Sequence, residues 1–156
     1  MLHSLRRFLV VQVLLLWQGG FLFYAACVVP VGTHVHGAAA QGAITARVTD
    51  VLNVLGVIAL AVLALDLNFT RDPNARRRAC RAWSWSIAFV CQALLFYFHL
   101  ELEGLMDKGR TQVTDHTAFY SLHRVYLCIS TLQWLACVLL TWWTLRAWIA
   151  EANPER

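Results

Sequence analysis

Four long apolar runs, separated by shorter polar stretches, dominate the pattern of this chain. The first covers residues 8–29 without a charge and stops before Pro30. The second covers 48–67, with Asp50 near one end and Asp66 near the other. The third, 82–100, contains Trp83, Trp85, Gln92 and His99, and the fourth, 126–149, has Arg146 as its one charge. Each run is long enough to cross about 30 Å of hydrocarbon as a helix. Isolated strands would leave backbone groups unpaired in lipid, so the pattern predicts an all-α, antiparallel bundle of four transmembrane helices. The pieces left over, at 1–7, 30–47, 68–81, 101–125 and 150–156, are too short for a second core, so residues 1–156 form one membrane domain.

Composition agrees. Of 156 residues, 59% are hydrophobic and 14% charged, against about 45–50% and about 25% in soluble domains. This excludes a disordered chain and an ordinary soluble enzyme domain.

Charge then orients the bundle. Nine of the thirteen Lys and Arg fall on one side: Arg6, Arg7, Arg71, Arg76, Arg77, Arg78, Arg81, Arg146 and Arg156. The other side has Arg47, Lys108, Arg110 and Arg124, mixed with Glu101, Glu103, Asp107 and Asp115. The positive-inside rule places both termini in the cytoplasm, in the manner of a bacterial inner-membrane protein. Trp83, Trp85, Trp142, Trp143 and Trp148 gather toward the cytoplasmic ends of the runs, and Tyr24, Tyr97, Tyr120 and Tyr126 toward the outer ends, as interfacial anchors do. Arg76–Arg78, lying between two spans, reads as a topology signal, and nucleic acid is not expected as a partner.

The N-terminal Arg6-Arg7 pair resembles the start of a secretory signal, but the apolar run behind it is too long for a signal core and is kept as a span. The five cysteines contain no C-x-x-C pair, and no phosphate loop, nucleophile elbow or H-E-x-x-H motif is present.

Two polar constellations stand out at the predicted outer end. Five of the six histidines lie there: His34, His36, His99, His116 and His123. His116, Tyr120, His123, Leu127 and Ser130 recur at helical spacing, and His99 and His123 fall at similar depth. Imidazoles converging at one level suit a divalent metal or haem iron, so His36, His99, His116 and His123 are the candidate ligands. Hydrogen-bonded interfacial histidines account for the same pattern. The second constellation is Arg47, Asp50 and Asn53, three apart on the second run, with Arg124 as a partner charge. An Asp50–Arg124 or Asp50–His123 contact would clamp the outer end of the bundle. An ion or proton relay needs polar residues deeper inside, where only scattered Gln12, Gln18, Ser84, Ser86, Gln92 and Thr141 occur.

The segment Gly19-Gly20-Phe21-Leu22-Phe23-Tyr24, leading to Val28-Val29-Pro30, resembles the first-helix signature of the transmembrane protein 205-like family. That resemblance implies a small four-span membrane protein and carries no established activity or catalytic residue. The His34-x-His36 pair and the histidine-rich entry to the fourth run depart from the family pattern. Two readings stay open: a non-enzymatic membrane protein, free-standing or associating with itself or with other membrane subunits, and a haem- or metal-binding redox or metal-handling protein.

Overall fold

In the computed structural model, described for residues 2–107 and 112–152, the chain is all-helical. Four helices are long and apolar enough to span a membrane. Helix α1 covers His3–His36, α2 Ala38–Phe69, α3 Ala75–Gly104 and α4 His116–Ala152. All four outrun the apolar runs that predict them, because polar residues beyond each run continue the helix.

The run ending at Pro30 does not end a helix. Two widened π-helical turns, Leu15–Gly19 and Tyr24–Val28, interrupt α1, and the second immediately precedes Val29–His36 with Pro30 in its first turn. In a regular α-helix the Pro30 ring presses on the carbonyl four residues back and its own N–H is missing. A wider turn at that point gives the carbonyl room, and the helix passes through the proline.

The long first loop expected at 30–47 is absent. Its place is taken by Gly37 alone, at φ +82° and ψ 162°, a conformation open in practice to glycine only. The second connection shrinks to 70–74. Asn74 caps α3 by accepting the Arg77 N–H at 3.0 Å. Between α3 and α4, a short antiparallel pairing of Met106 with Val113 tightens the described part of the connection.

Cross-helix contacts fix an antiparallel arrangement. Tyr24 of α1 bonds Thr45 of α2, Trp85 of α3 donates to the Leu60 carbonyl of α2, and Gln133 of α4 donates to Gln92 of α3. Arg6 meets both Asp66 and Glu151, so both ends of the described chain and the α2–α3 connection lie at one end of the bundle.

The core has one cluster at the middle, richer in alanine, and a second toward that end. Trp17, Ala59, Leu60, Ala88, Ala136 and Cys137 form one buried cluster, and Val10, Leu14, Leu63, Leu140 and Trp148 the other. Close helix approach through small residues such as Ala59, Ala88 and Ala136 is the packing that membrane-spanning helices use. A Cβ on Gly56 would run into the Gln92 amide and touch Trp17 Nε1, so a side chain there displaces Gln92 from its hydrogen bond to Asn53. Outward-facing positions such as Leu16, Phe23, Val54, Phe89 and Leu139 are exposed, which suits a lipid-facing surface. The five cysteines are free thiols.

Candidate functional site

The two ends of the bundle are built differently. At the arginine end, Asp66 of α2 is fully buried and touches the other three helices. Arg81 of α3 donates to its Oδ2 at 2.7 Å, Arg6 Nε of α1 lies 3.0 Å from Oδ1, and the Trp148 indole of α4 donates to Oδ1 at 3.1 Å. Arg81 also donates to the Thr144 hydroxyl at 3.3 Å. Glu151 forms a second tier, accepting from Arg6 and Arg7 at 2.8 Å each and from the Arg71 backbone N–H at 3.1 Å. Arg7 lies over the Trp148 ring, 5.6 Å from its centroid.

Asp72 completes this end. Burial opposes its ionisation, but the Arg77 guanidinium, the Asn74 N–H and the Arg81 charge outweigh that penalty and hold the carboxyl below its ordinary value. Every charge in this network has a partner of opposite sign, which suits a structural seal.

A seam of buried amides lies farther along the bundle. Gln133 donates to Gln92 Oε1 at 3.0 Å and to the Ala88 carbonyl at 3.1 Å, and Gln92 donates to Asn53 at 3.3 Å. Between this seam and the arginine network lie the two apolar clusters, with buried Ser84 and the Gln18–Thr141 contact among them.

At the histidine end the bundle opens. A cavity of about 640 Å³ is lined from α1 by Val29 and Thr33, from α2 by Gln41, Thr45 and Thr49, from α3 by His99 and Glu103, and from α4 by His116, Tyr120, His123 and Tyr126. Its wall is mixed, with aromatic and aliphatic surface beside a few convergent polar groups, as in small-molecule sites. The Tyr24 hydroxyl, Gln41 and Thr45 form a hydrogen-bonded set between α1 and α2 beside it.

The cavity collects three of the four candidate histidines. His99, His116 and His123 line it, whereas His36 is exposed at the end of α1 and does not. His123 stacks on Phe119 and His116 on Tyr120. In the second constellation, Asn53 is buried in the amide seam, while Arg47 and Arg124 are exposed. Asp50 meets His99 of α3, its Oδ1 lying 2.6 Å from Nε2. The clamp foreseen between α2 and α4 is thus formed at close range between α2 and α3.

Two groups of residues were passed over in the sequence. Glu103, one helical turn after His99, brings Oε1 to 3.0 Å from the same ring nitrogen; its i,i+4 spacing was a readable signal. The Asp66 centre had none, since its partners come from three distant segments whose arginines read equally well as topology signals. No protein-family model, curated protein or solved structure matches the chain.

Proposed function

We propose that this chain is an integral membrane protein that crosses the bilayer four times, with both termini in the cytoplasm, and presents a ligand-binding cavity to the outer side. The observation that carries this reading is the contrast between ends: charge network and apolar clusters close the arginine end, while a cavity of about 640 Å³ opens at the other. The nine-to-four bias of Lys and Arg favours the closed end as cytoplasmic. The resemblance of residues 19–30 to the transmembrane protein 205-like family supports the four-span membrane part of the reading.

A closed cytoplasmic half favours a binding or sensing protein, alone or as a subunit of a membrane complex, over a channel. Buried apolar residues, with few polar groups among them, lie between the amide seam and the Asp66 centre, and a conducting path needs polar groups throughout. Sidedness is testable with two reporters. A fusion after Arg156 is expected to be active in the cytoplasm, and an insertion near Gly109 on the outer side. A Gly109 reporter in the cytoplasm would turn the cavity inward and overturn the reading.

A further inference from the structure

Two carboxylates converge on one imidazole nitrogen beside the cavity, whose wall His99 and Glu103 share. His99 Nε2 lies 2.6 Å from Asp50 Oδ1 and 3.0 Å from Glu103 Oε1.

We propose that Asp50, His99 and Glu103 bind one divalent first-row transition-metal ion at the edge of the cavity. The proposal rests on the outward-open cavity and names the class of ligand that it takes. Three observations carry it. The first is spacing: one donor atom from each residue lies within 4.8 Å of the other two. An ion about 2.0–2.2 Å from nitrogen and oxygen ligands holds neighbouring donors roughly 3 Å apart. The two carboxylate oxygens already lie 2.6 and 3.0 Å from His99 Nε2, so small side-chain adjustments set the three donors around one ion.

The second is chemistry. Two carboxylates and an imidazole are donor types that divalent first-row ions accept. A set of one nitrogen and two oxygen donors, with no thiolate, suits zinc, manganese or ferrous iron rather than cuprous copper.

The third is placement. His99 and Glu103 stand one turn apart on α3, and Asp50 faces them from α2, so rigid helices supply all three ligands. His99 is largely buried, whereas Glu103 is partly exposed and lines the cavity, so an ion can reach the pair from there. Three protein ligands leave further positions to water or to a bound molecule, as in exchangeable zinc sites rather than closed structural ones.

The test uses the full chain, purified in detergent with any affinity tag removed, stripped with chelator and titrated with Co²⁺ as a spectroscopic probe. The expected result is one Co²⁺ per chain, with visible ligand-field bands that Zn²⁺ abolishes. Asp50→Asn, at a partly exposed position, and Glu103→Gln should each weaken binding by more than the roughly 10–100-fold that loss of an outer-shell partner costs. His36→Ala should leave binding unchanged. No saturable Co²⁺ or Zn²⁺ binding by the folded wild type, or equal binding by Asp50→Asn and Glu103→Gln, overturns the proposal and leaves His99 as a hydrogen-bonded clamp. Thiol labelling of Thr49→Cys from the outer side, which reports the cavity without any ion, separates failure of the metal site from failure of the cavity.

Discussion

Asp66 and Asp50 lie on the same helix, about four turns apart, and the structure uses them in opposite ways. Asp66 is fully buried and reaches Arg6, Arg81 and Trp148, one from each of the other helices. Asp50 is partly exposed and meets His99 beside an open cavity. A carboxylate with cations and an indole around it and no water closes a bundle. A carboxylate beside an imidazole and a second carboxylate, with water access, is arranged to exchange a ligand. The same residue type therefore acts as a seal at one end and as a candidate ligand at the other, and its surroundings decide which.

The largest effect is expected at the seal. Asp66→Ala strands Arg81, itself almost wholly buried. Breaking such a pair costs on the order of 3–5 kcal/mol. A thermal melt in detergent should show a large fall in midpoint, partly recovered when Arg81→Leu removes the stranded charge. If Asp66→Ala melts like the wild type, the arginine end is not what holds the bundle closed.

A smaller loss should follow at the seam between the ends. Gly56→Ala pushes a methyl against Gln92 Oε1 and Trp17 Nε1. Overpacking of this kind costs about 1–3 kcal/mol. The same melt measures it, and an unchanged midpoint would show that Gln92 can leave the amide seam without cost.

Smaller again is the histidine end, where water screens the pair. In chelator-treated protein, a double-mutant cycle of Asp50→Ala and His99→Ala should give a coupling of about 1 kcal/mol or less. Strict additivity would mean that the two groups do not interact. A coupling as large as that at Asp66 would erase the contrast between the ends.

The smallest effect is confined to acid. The Asp72 carboxyl is held below its ordinary value of 3.8, so its contribution is complete above that pH and is lost as pH falls through the depressed folded value. Melts of the wild type and Asp72→Asn should run parallel from pH 7 to pH 5. Below about pH 4 the wild type should lose its margin over the variant. A margin that disappears at neutral pH would place the stabilisation in another group.

Parts of this architecture could be read from the chain and parts could not. The four helices follow from the apolar runs, because hydrophobic length is a local property of sequence. Helix ends do not, since Pro30 reads as a stop until the widened turn at Tyr24–Val28 is seen, and Gly37 gives no sign that it alone joins two helices. The common depth of His99 and Asp50 was legible from their distance to the ends of their runs. Their direct pairing was not, because linear sequence does not say which face of α2 meets α3. The Gln92–Gln133–Asn53 seam was hidden for the same reason, each amide looking isolated in its own span.

The contrast between an open histidine end and a closed arginine end is tested most directly by thiol reactivity. In a chain with its native cysteines replaced, Thr49→Cys lines the cavity and Thr144→Cys lies beside Arg81, inside the seal. A membrane-impermeant maleimide added to the outer side of intact cells should label position 49, while position 144 should stay unlabelled from either side until the protein is unfolded. Labelling of position 144 in the folded protein, or protection of position 49 from the outside, would contradict the account.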